Sequence, residues 1–271
     1  NGILLLGFSI LFIIAGIFSA ISLILLRKQY SPVFKIKKDY YFSMFAFLKR
    51  FDSVGKFAVY YALLNAAMYL ASPFFAVYMR ENLQFNYLTI TLVSLSSTVF
   101  YILFAPSAGR FSDKYGNVRL FYLGATLISL NPLLWIFIKN PITLIILPQL
   151  IVGLANAAIV ISVTNFVYSM VSPAKRALCM SYTNILTGIG IFIGSIIGGL
   201  IIMFAPIGLL GPMLTVFLVS GILRLIVSFA FIGHLKEEEE NIRKLPDASI
   251  HLKHPLKGLI AEVEWLKRLH K

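Results

Sequence analysis

The chain has 271 residues, of which 59% are hydrophobic and 13% charged, and its mean hydropathy is +0.86. An apolar share so far above the roughly one half of a soluble domain indicates an integral membrane protein and excludes an ordinary soluble fold. The formal charge of +13 would suit a nucleic-acid binder, but the basic residues lie in short loops between apolar runs, a pattern that membrane topology explains and nucleic-acid recognition does not.

Seven apolar segments are long enough to cross a bilayer as helices. They run from Ile3 to Leu26, Phe57 to Met79, Thr89 to Ala108, Leu120 to Ile138, Ile142 to Tyr168, Ser181 to Phe204 and Leu209 to Ile232. The chain starts at Asn1 and enters the first of them directly. This reads as a truncated or processed product, because a signal peptide needs a basic start and a much shorter apolar core. The single cysteine, Cys179, has no internal disulfide partner.

The loops alternate in charge. One side carries Arg27, Lys28, Lys35, Lys37, Lys38, Lys49, Arg50 and Lys56, then Arg110, Lys114 and Arg119, then Lys175 and Arg176; the other carries Arg80 and Lys139. The positive-inside rule makes the first set cytoplasmic, which puts Asn1 outside and the C-terminal tail inside.

Between the first two spans, residues 27–56 form a long basic and aromatic connection. There Tyr40, Tyr41, Phe45, Leu48 and Phe51 recur near helical spacing beside Lys49 and Arg50, as expected of an amphipathic helix on the inner membrane surface. After Ile232 the chain turns polar, with an acidic run from Glu237 to Glu240 that reads as solvated. Pro255 then opens an amphipathic helix with Leu256, Leu259, Ile260, Val263 and Leu266 on one face. His251 and His254 lack the further ligands of a metal site, so no metal and no cofactor is expected.

The polar island Gly109-Arg110-Phe111-Ser112-Asp113-Lys114-Tyr115-Gly116-Asn117-Val118-Arg119 interrupts two apolar runs and reads as a tight cytoplasmic turn. Gly109 is expected to let two helices approach closely. Ser112 and Asp113 are expected to cap the following helix, and Gly116 to allow the reversal. The spacing Gly-x-x-x-Asp-Lys-x-Gly-x-x-Arg resembles the signature loop of the major facilitator superfamily (MFS) of transporters, with Asn117 and Val118 standing where basic residues usually follow the second glycine. Ser172-Pro173-Ala174-Lys175-Arg176-Ala177, followed by Gly188, Gly190, Gly194, Gly198 and Gly199 in an apolar run, is similar to the loop and penultimate helix of many bacterial members. Gly190, Gly194 and Gly198 fall on one helix face, where they permit close packing.

The resemblance implies an all-α integral membrane fold, an MFS-type helical bundle with about seven spans equivalent to TM6 to TM12. Residues 1–26 would be the last span of the N-terminal half, 27–56 the cytoplasmic linker, 57–235 the six-span C-terminal half and 236–271 the cytoplasmic tail. The signature loop, through Gly109, Arg110, Asp113, Lys114, Gly116 and Arg119, would gate conformational change.

Candidate substrate-cavity residues are Tyr61, Asn65 and Tyr69 in the second span, Ser94, Ser97 and Tyr101 in the third, Gln149 and Asn156 in the fifth, and Asn184 and Thr187 in the sixth. They recur at helical spacing, and the resemblance implies that these four helices line a central pathway at mid-membrane; interhelical hydrogen bonding would use the same residue types. No span carries Asp or Glu, so if transport is coupled to protons, a carrier of the usual acidic kind is expected in the missing half. Arg224 is the one charge deep in a span. A central arginine costs about 2.5 to 3.5 kcal/mol on insertion scales, so it needs a partner or a polar cavity, or it snorkels to inner-leaflet phosphates; a structural or lipid-facing role is favoured over substrate contact.

The leading reading is a secondary active transporter of a small solute, amphipathic or drug-like, working by alternating access in the plasma membrane. Its partners would be the lipid bilayer, a small-molecule substrate, and the missing N-terminal half or a second subunit. One alternative is a half-size transporter that homodimerises. Another is a seven-helix receptor or sensor; a retinal protein would need a lysine within a span, and only Lys139, at a boundary, comes near. An enzyme is not expected: the spans hold no histidine except His234 at the end, no carboxylate pair and no His-Glu-x-x-His pattern.

Overall fold

The computed structural model describes residues 2–28, 41–50, 52–204 and 211–230. The polar tail with His251, His254 and the helix expected after Pro255, most of the basic linker, and Tyr40 and Phe51 lie outside the described residues. The chain divides into two compact units, Asn1–Tyr40 and Tyr41–Lys271. The first contains α1, Gly2–Arg27, whose Phe12, Ile13, Phe18, Leu25 and Leu26 are all exposed. Apolar side chains on every face suit a helix solvated by lipid.

The second unit is wholly helical in its described part. The helices are α2 Met44–Arg50, α3 Asp52–Tyr69, α4 Phe74–Glu81, α5 Tyr87–Tyr115, α6 Asn117–Phe137, α7 Pro141–Ile146, α8 Pro148–Met170, α9 Pro173–Phe204 and α10 Gly211–Ala230. Six segments are long and apolar enough to cross a membrane: Ser53–Glu81, Tyr87–Tyr115, Asn117–Phe137, Pro141–Met170, Pro173–Phe204 and Gly211–Ala230; Phe12–Arg27 is a shorter apolar stretch.

Two spans expected as continuous are broken, each at a proline that cannot donate to the helix ladder. The second gives way at Leu70–Pro73, between α3 and α4, and the fifth at Leu147, just before Pro148. The third runs on beyond its expected end at Ala108 to Tyr115.

Packing is organised in pairs: α3 runs along α9, α5 along α8, and α6 along both α8 and α10. Small residues set these contacts. A Cβ built at Gly190, Gly194 or Gly198 would collide with the carbonyl oxygens of Ala62, Ala66 and Leu70 respectively, so α3 and α9 touch backbone to backbone. Gly124 makes the same approach possible between α6 and α8, where its Cβ would lie 2.9 Å from the Ala158 Cβ. Phe57, Phe121 and Phe166 share one buried core, with Phe57 and Phe166 stacked at 4.3 Å between ring centroids.

Only seven residues of the expected surface helix form α2. Its anchor is Phe47, fully buried, with Leu48 of the expected stripe packed against the same core, while Tyr41 and Phe45 of that stripe are exposed. Phe42 and Phe47 pack against Tyr182 of α9, and the Tyr182 hydroxyl donates to the Phe42 carbonyl at 2.6 Å. The short helix therefore docks on the bundle, because its best-packed aromatic lies one position off the apparent stripe.

Candidate functional site: a polar cavity around Arg224

The break between α3 and α4 frees backbone carbonyls in the middle of the span. Ala71 and Ser72 both donate their N–H to Met68, at 3.2 and 3.1 Å, which leaves the Ala67 carbonyl without its usual partner four residues on. In α6, Pro132 likewise leaves Ile128 unpaired, since proline has no N–H.

Arg224 of α10 meets these carbonyls. Its side chain is 1% exposed. One terminal nitrogen donates to the Ile128 carbonyl at 2.9 Å and the other to the Met68 carbonyl at 3.0 Å. Nε donates to the Ser220 hydroxyl at 3.0 Å and, at 3.5 Å, to the Ala67 carbonyl, which also accepts from the Ser220 hydroxyl at 2.6 Å. Residues 67, 68 and 128 stand at the middle of their spans. The arginine is therefore held at mid-depth by backbone acceptors and does not snorkel to a membrane face, as the sequence reading had allowed.

Beside it opens a cavity of about 390 Å³ between α3, α4, α5, α6, α8 and α10. Tyr69, Ser94, Ser97, Gln149 and Asn156, all expected from the sequence, line it together with Arg224. Gln149 is almost wholly buried, and neither its amide nor that of Asn156 hydrogen-bonds to the protein among the described residues.

The remaining expected cavity residues lie elsewhere. Asn65 is buried and donates to the Tyr61 carbonyl at 2.8 Å, while Tyr61 packs edge-on against Phe121. Tyr101 joins the α5–α8 contact around Ala108 and Ala157. On α9, Asn184 is exposed and Thr187 donates to the Thr183 carbonyl at 2.8 Å. The reason is shared: regular spacing along one helix does not say which face a neighbour will cover.

Other lining residues had no place in the sequence reading. Asn131, Trp135, Ser72 and Phe75 all face the cavity. Trp135 donates from Nε1 to Asn131 Oδ1 at 3.2 Å, and Phe75 packs against both Trp135, at 4.9 Å, and Phe217, at 4.5 Å. The signal that could have found them is an Asn-Pro pair inside an apolar run at 131–132 and a Ser-Pro pair at 72–73, both marking a helix opened toward polar groups.

The signature stretch is not an open turn. Residues 109–115 form the last turns of α5, and the reversal is confined to Gly116, at φ 92°, a conformation that favours glycine. Ser112 and Asp113 accordingly do not cap α6, which starts without a side-chain cap. Ser112 is instead buried, with its hydroxyl donating to Asn117 Oδ1 and accepting from Asn165 Nδ2 at 3.5 Å. Among the described residues nothing lies within 4 Å of a Cβ built at Gly109, so the expected close approach is not made there. Arg110, Asp113, Lys114 and Arg119 are exposed; Arg110 donates to the Pro106 carbonyl at 3.3 Å, and Lys114 stands over the Tyr115 ring at 4.9 Å.

A bundle of broken and small-residue-packed spans around a polar cavity at mid-membrane is the architecture of a membrane transporter. The Major Facilitator Superfamily profile matches residues 57–266, and the chain belongs to that family; it is a multi-pass membrane protein. Among curated proteins it is similar to the quinolone resistance protein NorB of Staphylococcus aureus strains JH9 and Newman, at 30% identity over 182 residues, covering 67% of this chain and 36% of NorB. The chain thus spans little more than a third of the length of these relatives. Among solved structures it is similar to the nucleoside transporter NupG (D323A mutant), with a TM-score of 0.62 and 22% identity, over 80% of this chain and 58% of that one.

Proposed function

We propose that the chain supplies the C-terminal six-span half of a secondary transporter that moves a small, amphipathic solute through the cavity beside Arg224 by alternating access. The observation that carries this reading is the cavity itself. Uncommitted amides at Gln149 and Asn156 and the rings of Trp135 and Phe75 share one space at mid-depth. A transport site needs such a mixture, with polar groups to orient the solute and apolar ones to bind its body.

The similarity to a protein named for quinolone resistance favours drug-like efflux from the cell across the plasma membrane. The first-half bundle, or a second copy of this chain, would complete the pathway against α5 and α9, which are the least buried of the six spans. The C-terminal tail would then lie in the cytoplasm, on the side of the basic loops.

The test is accumulation of a fluorescent aromatic solute in cells making the native-length product. The double substitution Gln149→Leu, Asn156→Leu should reduce transport at least tenfold at an unchanged membrane level. Full transport in that variant would overturn the assignment of the site.

A further inference from the structure

Among the described residues no acidic group neutralises the charge of Arg224. Its partners are the carbonyls of Ile128, Met68 and Ala67 and the hydroxyl of Ser220, all of them neutral. Among the described residues no Asp or Glu lines the cavity: Asp52 opens α3, Glu81 lies at the end of α4 and Asp113 in the last turn of α5. Carbonyl dipoles satisfy hydrogen-bonding directions and lower the cost of the charge, but they leave the net positive charge in place. A guanidinium has five N–H groups, and the bonds described occupy three of them.

Resting on the reading of this cavity as the solute site, we propose that Arg224 is its anion-selecting residue, and that the preferred solute carries one negative group, a carboxylate or sulfonate, on an aromatic body. Donors for such a group line the same cavity as the arginine. Gln149 and Asn156 have uncommitted amides, and Asn131, whose Oδ1 is engaged by Trp135, keeps its Nδ2 to donate. Trp135 and Phe75 offer the apolar surface for the ring system. The same unneutralised charge disfavours cations, so selectivity arises by repulsion as well as attraction.

The test uses a matched pair of probes with one anilinonaphthalene body, the sulfonate 1-anilinonaphthalene-8-sulfonate and the uncharged N-phenyl-1-naphthylamine. The full chain carries Trp265→Phe, so that Trp135 is its only indole, and sits in nanodiscs of zwitterionic lipid with empty discs as blanks. Quenching of Trp135 should give a Kd for the sulfonate at least tenfold below that of the neutral probe. Arg224→Lys should keep that preference within threefold and Arg224→Gln should remove it. Because Arg224→Gln also strips bonds from the bundle, Gln149→Glu serves as a second variant. It places a counter-charge in the cavity and should abolish the sulfonate preference by weakening sulfonate binding more than neutral-probe binding.

Equal affinity for the two probes in the unsubstituted cavity would overturn anion selection while leaving the cavity as a binding site, and so would a preference that survives Gln149→Glu. Quenching by neither probe would overturn both this proposal and the site assignment. Loss of sulfonate binding on adding phosphatidylglycerol to the discs would give the site to a lipid phosphate and overturn a soluble solute.

Discussion

Arg224 donates at 2.9 Å to the carbonyl of Ile128, the very group that Pro132 leaves without a helical partner. The relationship joins α10 to the middle of α6 beside Pro132, while the Met68 bond joins it to the break between α3 and α4, so one side chain ties carbonyls of two spans together at the same depth. Each buried acceptor left unsatisfied costs about 1 to 3 kcal/mol.

Arg224→Met should therefore destabilise the bundle by about 1 to 3 kcal/mol, chiefly through the orphaned Ile128 carbonyl, since Ala67 keeps the Ser220 hydroxyl and Met68 the N–H groups of Ala71 and Ser72. Pro132→Ala restores an N–H for Ile128 and should recover part of that loss in the double variant, appearing as a coupling energy in a double-mutant cycle. Thermal unfolding of the four proteins in detergent checks it; strictly additive effects would show that the two residues do not share the carbonyl.

Glycines along α9 should sort by what their missing Cβ would meet. Gly194→Ala forces a methyl against the Ala66 carbonyl oxygen and should weaken the α3–α9 contact by at least about 2 kcal/mol. Gly188→Ala and Gly199→Ala meet nothing within 4 Å and should be neutral or stabilising by about 0.4 to 1 kcal/mol. Melting temperatures that rank these variants in another order would contradict the packing.

Docking of α2 depends on Phe47. Phe47→Ala should expose the segment, speeding tryptic cleavage after Lys49 and Arg50 severalfold, because removing a buried phenylalanine costs about 3 to 5 kcal/mol. Phe45, 86% exposed, should tolerate alanine with no change in cleavage rate.

Asp113 stands in the last turn of α5, where the helix end is negative and a carboxylate is disfavoured. Asp113→Ala should leave membrane insertion intact and the melting temperature unchanged or slightly raised, yet depress transport by the native-length product. Wild-type transport in this variant would remove the gating role of the signature stretch. Gly116→Ala is a different case: at φ 92° an added Cβ is strained by about 1 to 3 kcal/mol, so it should lower stability.

The sequence by itself determined the spans, since membrane insertion depends on the summed apolarity of about 20 consecutive residues, a local quantity. It also marked Gly190, Gly194 and Gly198 as a packing face and Arg224 as a charge in need of partners. Only the tertiary structure decided what those partners are. Arg224 is satisfied by carbonyls from helices whose residues lie 96 and 156 positions away in the chain. Backbone acceptors carry no side-chain signature, and they become available only where Pro132 and the Leu70–Pro73 break stand level with α10. For the same reason Tyr69 and Gln149 reach the cavity while Asn65 and Asn184 do not: periodicity defines a face of one helix, and which face another helix covers is settled only when the bundle packs.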